Sequence, residues 1–148
     1  MKISVEKSNI YKSLSHVQNI VEKKNTIPVL SNILIEAKNN SIVLSATDMD
    51  ISITETFNCN VIEEGSVTVS AHTLYDIIRK LPDGNEVEFI SNDGKMFSIR
   101  SGKSRFSLGC LPKEEFPIIE IEKLNLEFSI DSQIFLKLIE KTRFAISN

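Results

Sequence analysis

The sequence predicts an α+β domain built by internal duplication, and three observations carry that reading. Residues 67–80, VTVSAHTLYDIIRK, read as a short alternating strand, a Ser70 helix cap and an amphipathic helix with Leu74, Ile77, Ile78 and Leu81 on one face. The same unit starts at Ile3 (ISVEKSNIYKSL) and at Phe128 (FSIDSQIFLKLI), at spacings of 64 and 61 residues. Between copies the chain reads only as strands and turns. So long a period does not fit a solenoid; it fits a pseudo-symmetric domain that uses one half twice, with a third copy started and cut off.

The elements follow in order. Residues 3–5 form the first strand, and a helix runs from about Ser8 to the low twenties. Ile10, Leu14, Val17 and Val21 make a narrow apolar stripe, while Lys12, His16, Asn19 and Lys23 lie opposite as a solvent face without a carboxylate. His16 has no local partner that would support a catalytic role. Pro28 ends the helical stretch and disfavours helical geometry at Ile27. VLSNILIEAK, SIVLSAT and ISITETFNCNV then read as strands, joined by a turn at Asn39 and Asn40 and a tight TDMD connection. Glu63, Glu64 and Gly65 lead into the second copy. After its helix, LPDGN is a strong turn. EVEFIS, KMFSIRS and KSRFSLGC are strands, with a hairpin turn at Asn92, Asp93 and Gly94 and a break at Gly102. Phe106 and Leu108 fall on one face of the last strand, Arg105 and Ser107 on the other. LPKEEFP is an extended crossover, and IIEIEKLNLEF enters the third copy.

Composition places the chain among ordinary globular domains. Its 148 residues are 41% hydrophobic and 25% charged, enough for one domain burying roughly 70% of its unfolded surface. No apolar run approaches a membrane span, and MKISVEKSN lacks the apolar core of a signal peptide, so a cytoplasmic protein is expected. Cys59 and Cys110 read as two reduced thiols. The net charge of −3 argues against nucleic acid until its distribution is considered. The three helical stretches, residues 8–24, 71–80 and 133–143, carry +2, +1 and +2, which leaves −8 for the rest. Basic helices on an acidic body can offer one surface to phosphate and repel it elsewhere. Helices also tolerate Lys and Arg well, so a plain solvated surface is the competing account.

Motifs for chemistry are weak. Ser101, Gly102, Lys103 and Ser104 resemble the tail of a phosphate-binding loop, but Phe97 stands where its first glycine belongs, and the segment lies between strands. Asp48 and Asp50 could touch a metal, yet two carboxylates in a hairpin turn are ordinarily turn-forming residues. No metal, cofactor or catalytic group is indicated.

The opening MKISVEK, then TIPVLSNILIEA, SATDMDISI and SGKSRFSLGCLPKEEFP, resemble in order the N-terminal part of the bacterial DNA polymerase III β subunit, the replicative sliding clamp. The resemblance implies a DNA-clamp fold: duplicated βαβββ half-domains with two helices packed on antiparallel sheets about a pseudo-two-fold. Residues 1–125 would be the first clamp domain, with halves of about 1–64 and 65–125. Residues 126–148 would be the first strand and helix of a second, truncated domain.

By resemblance the protein is no enzyme but a processivity factor. Two subunits of three domains close head to tail around duplex DNA and tether the polymerase, with helices lining the hole. Contacts to phosphate should be loose and read no bases, so that sliding persists. A family arginine after the first helix falls on Lys24, which keeps charge but loses the bidentate fork. Another, at the start of the second helix, falls on His72, which makes that contact weaker or pH-dependent. Lys12, Lys23, Arg79 and Lys80 are added by helical position. The family's subunit interface implies Phe106, Leu108 and Ile77 as apolar anchors and Lys103 and Arg105 as partners for acidic groups. From the residues alone, Phe106 and Leu108 could equally face this domain's own core. The groove for polymerase and clamp loader lies between the family's second and third domains and would be absent here. Two other readings compete: a small α+β protein-interaction module, and a hydrolase using Asp48 and Asp50.

Overall fold

Each half of the duplication gives its first strand to the other half. In the computed structural model, which describes residues 1–21, 27–92, 94–117 and 128–146, the first repeat contains β1 (Lys2–Glu6), α1 (Lys7–Val17), β2 (Asn32–Lys38), β3 (Ser41–Thr47), β4 (Ser52–Asn58) and β5 (Asn60–Glu63). The second contains β6 (Gly65–Ser70), α2 (Ala71–Lys80), β7 (Glu86–Ile90), β8 (Met96–Ser101) and β9 (Ser104–Leu111); α3 (Ser132–Thr142) follows. β6 pairs with β2 to complete β4-β3-β2-β6, and β1 pairs with β7 to complete β9-β8-β7-β1. Every pairing is antiparallel. Both seams between the two sheets are closed the same way. The end of β9 leaves β8 and pairs Leu111 and Cys110 with Thr68 and Val69 of β6, while β5 carries the chain beyond β4 to pair with β1.

Strand alternation explains the core. Ile33, Ile35 and Ala37 of β2, Ile42, Leu44 and Ala46 of β3, and Phe97 and Ile99 of β8 are buried at every second position. They meet Ile10, Leu14 and Val17 of α1 and Leu74 and Ile78 of α2 in one cluster. The sheets therefore bury one face beneath the helices. This is the duplicated βαβββ architecture that the resemblance implies, with the last strand of the first repeat split into β4 and β5.

The helices start differently. Ser70 caps α2, accepting from Thr73 N at 3.4 Å, as its position suggests. α1 has no side-chain cap; the Asn85 carbonyl, from the turn after α2, accepts from Lys7 N at 3.1 Å. The Lys7 side chain is buried and donates from Nζ to the Leu81 carbonyl at 2.5 Å and to Asp83 Oδ1 at 2.6 Å. It thus satisfies an end carbonyl of α2 with a cation, where the helix dipole favours one.

Three boundaries depart from the sequence reading. α1 ends at Val17, and residues 18–21 continue as tight turns, with Ile20 N donating to Val17 and Val21 N to Gln18. Pro28–Ser31 form a 3-10 turn, so β2 begins at Asn32, four residues past the proline. The long strand over 51–61 is split at Cys59, whose N–H donates to Asn40, because the chain there changes sheets. The turn at Asn39 and Asn40 is as expected, with φ of 51° and 57°. The strand IIEIEKLNLEF and the domain boundary near residue 125 lie outside the described residues, apart from Phe128.

Lys7→Met removes the charged tie between the helix ends. Asp83 is solvated, so no buried charge is orphaned. Stability in urea unfolding should fall by about 1.5–3 kcal/mol, the range for a hydrogen bond to a charged group.

Candidate nucleic-acid interface

The two helices lie side by side and antiparallel, and residues at the same place in the two repeats meet between them. Tyr11 and Tyr75, 64 apart, stack with centroids 5.5 Å apart and hydroxyls at 3.2 Å. The pseudo-two-fold therefore passes between these rings. At one end Lys7 holds the exit of α2. At the other, His72 Nε2 donates to the Val21 carbonyl at 3.0 Å, and its Nδ1 lies 3.3 Å from Gln18 Oε1. A carbonyl only accepts, so Nε2 carries a proton. Near-equivalent positions in the two repeats thus fasten the chain as it leaves the opposite helix, at Leu81 after α2 and at Val21 in the turn after α1.

Above this junction lies an open cleft of about 610 Å³ lined by Gln18, Asn19, Val21, His72, Tyr75, Asp76 and Arg79. Lys12 is exposed on α1, one residue on from Tyr11. Arg79 Nη2 is 3.0 Å from Asp76 Oδ1, and its guanidinium carbon lies 5.8 Å from the Tyr75 ring centroid. Lys80 sits on the far flank of α2 beside Ile77 and Phe106, which share a hollow of about 280 Å³ with His72, Thr73 and Asp76. Lys12, His72, Arg79 and Lys80 therefore share the helix pair, although His72 is turned to α1 and Arg79 to a carboxylate. Lys23 and Lys24 lie outside the described residues. The solvent face of α1 carries no carboxylate of its own, but β4 brings one to it: His16 Nδ1 lies 2.8 Å from Glu55 Oε1. Helix packing on β4 brings them together across 39 residues, which periodicity within one helix does not reveal.

The proposed interface residues divide as strand alternation requires. Phe106 stands opposite Ile99 and Leu108 opposite Phe97, so both point to the core side of β9. Leu108 and Ile77 pack partly buried against the core, while Phe106 stays 38% exposed at its rim. Arg105 and Ser107 face the other way, and Arg105 shares a surface hollow with Arg100 and Glu88. Lys103 is exposed in the turn before β9. Among the described residues, 104–109 pair only with β8, which leaves their second edge open.

Other candidates take ordinary roles. Asp48 Oδ1 accepts from Asp50 N at 3.0 Å and Ile51 N at 2.7 Å, forming the β3–β4 turn. Among the described residues no three His, Cys, Asp or Glu side chains converge to hold a metal. Residues 101–104 form a strand-to-strand turn with Gly102 at φ 55°, so they offer no helix start to a phosphate. No helix among the described residues is long and apolar enough to cross a membrane.

The sequence reading missed Gln18, Glu55, the tyrosine pair and the role of Asp76. The 64-residue spacing of Tyr11 and Tyr75 was the available signal for the pair.

The family model for the DNA polymerase III beta subunit, N-terminal domain, matches residues 1–120. The chain belongs to this family. It is 43% identical over 148 residues to the beta sliding clamp of Caulobacter vibrioides, covering 99% of this chain and 40% of that one. The structure superposes with a TM-score of 0.95 on a sliding clamp from Bartonella birtlesii bound to griselimycin, at 43% identity, covering 100% of this chain and 40% of that one. A Pseudomonas aeruginosa sliding clamp, also bound to griselimycin, gives a TM-score of 0.94 at 30% identity, again with 100% and 40% covered. The fold is that of a DNA clamp domain, and the chain spans about 40% of the length of these family members.

The tyrosine pair gives the junction a reporter, since the chain has two Tyr and no Trp. The Tyr11 hydroxyl, then burial, holds the Tyr75 phenol above its ordinary value. The fold favours the protonated form, so this contribution to stability is intact below the unfolded tyrosine pKa of about 10 and is lost as pH rises through the folded one. Tyr11→Phe should move the Tyr75 titration, followed by phenolate absorbance, down toward the ordinary value and narrow that alkaline window.

Proposed function

We propose that this chain is the N-terminal part of a sliding clamp, a non-catalytic cytoplasmic subunit that encircles duplex DNA and tethers the replicative polymerase. The helix pair, in a fold closely like that of sliding clamps, is the observation that carries the reading. Lys12, Lys23, Lys24, His72, Arg79 and Lys80 would face phosphate, by charge and without base contacts. Their modest strength suits a ring, which topology retains on the duplex, so each contact can stay weak enough to let the DNA pass. Residues 1–125 would form the first ring domain and residues 126–148 begin the second. Ile77, Phe106 and Leu108 would meet a second subunit, with β9 offering its open edge and Lys103 and Arg105 meeting acidic groups. Polymerase and clamp loader would dock elsewhere in the ring.

A chimera carrying these residues in place of the matching ones of the Caulobacter clamp tests this. Loaded rings should persist on circular DNA and escape from linear DNA. Equal loss from both would overturn the reading. Lys24→Glu should lower DNA affinity and flatten its salt dependence, by a slope of roughly 0.9 for each cation lost. An unchanged slope would remove Lys24 from the face.

Phe106→Asp in the same chimera should shift sedimentation from dimer to monomer, with an anchor-sized loss of about 2–4 kcal/mol. An unshifted dimer would show that Phe106 serves only its own domain.

A further inference from the structure

We propose that Asp76 is an internal competitor for Arg79, and so sets how tightly the helix pair holds phosphate. The inference rests on the reading of that pair as the DNA face. Asp76 lies on the open cleft, one turn before Arg79, with Oδ1 3.0 Å from Nη2. Both side chains are about half exposed, at 56% and 53%, so neither is locked away. The carboxylate presents to the guanidinium the kind of oxygen a phosphate would present. It also holds Arg79 over Tyr75, where the ring face favours a cation.

The consequence is a cation already placed but already matched. To grip a phosphate, Arg79 must share or give up Asp76, and the pair adds no net charge to the face. An arginine in this state releases less than one counterion when DNA arrives. The duplication sharpens the point: Lys12 of α1 and Asp76 of α2 are 64 residues apart and occupy equivalent positions. One half thus adds a cation at the place where the other half subtracts one. Such an exchangeable partner lets phosphates pass along the face without a lasting bond.

The test compares this 148-residue chain with Asp76→Asn, Asp76→Glu, Arg79→Ala and the double variant Asp76→Asn/Arg79→Ala. Binding to a short duplex of random sequence is followed by amide shifts at several salt concentrations. Asp76→Asn should bind roughly fivefold tighter at moderate salt, with a slope steeper by about 0.9. Asp76→Glu keeps a carboxylate one turn from Arg79 and should restore the original slope. Arg79→Ala leaves the Asp76 carboxylate unmatched and should weaken binding, and the double variant should return it to about the unsubstituted level. If Asp76→Asn binds no tighter while the unsubstituted chain binds, the competitor role is wrong and the DNA face stands. If Asp76→Asn tightens binding as much in the Arg79→Ala background as it does alone, the effect is general charge and the competition is refuted. If no variant shifts with duplex even at low salt, the DNA face fails and this inference with it.

Discussion

The structure depends on a reciprocal exchange. β1 completes the sheet of the second repeat and β6 that of the first, so neither half buries its own core without the other. The helices repeat the arrangement. Lys7 at the start of α1 holds the end of α2, and His72 at the start of α2 holds the turn that follows α1. Antiparallel helices make this possible, because each start lies beside the other's finish, where unsatisfied carbonyls and the negative dipole end await a donor. The two ties are unequal. Lys7 is buried with a counter-ion in Asp83, while His72 borders the cleft. One end of the pair is thus anchored in the body of the domain, and the other sits at the proposed working surface.

This arrangement limits how positive the face can be. Of the basic residues of the pair among those described, Lys7 is turned inward, His72 is turned to α1, Arg79 shares its charge with Asp76, and Lys80 stands exposed on the far flank of α2. Lys12 stands out to solvent. A protein that held DNA by affinity alone would be poorly served by such a surface, since phosphate contacts supply most non-specific binding. A ring has no such need. In the proposed ring, weak positive contacts would keep DNA centred, and an acidic exterior would discourage binding outside the hole.

The duplication was legible because hydrophobic spacing, caps and turns recur at fixed distances. Ser70 before its helix, and Asn39 with Asn40 between strands, state local geometry directly. Boundaries were less legible where tertiary pairing decides them. Nothing local marks Cys59 as the place where a strand leaves one sheet for another, because β-branched and aromatic residues continue on both sides. The site was partly legible for a related reason. Helical position brought forward Lys12, Arg79 and Lys80 but said nothing of what each would touch. Asp76 was counted only as one negative charge among several. The His16–Glu55 contact needed two elements to be docked before it could exist.

The third copy keeps the helix of the unit but, among the described residues, not its burial. Phe135 and Ile139 of α3 occupy the places of Leu74 and Ile78 in α2, which are fully buried; among the described residues, Phe135 and Ile139 are about half exposed. The local signals are intact, since Asp131 caps α3 by accepting from Gln133 N and Ile134 N. Helix propensity and capping therefore form the element, and burial is a separate condition met only by a complementary half. Each large apolar side chain left in water forgoes roughly 1.5–3 kcal/mol. A pattern that carries such a stripe has the stability of α1 and α2 only when another strand and helix close over it. The duplicated unit is therefore half of a domain by its physics, whatever its length.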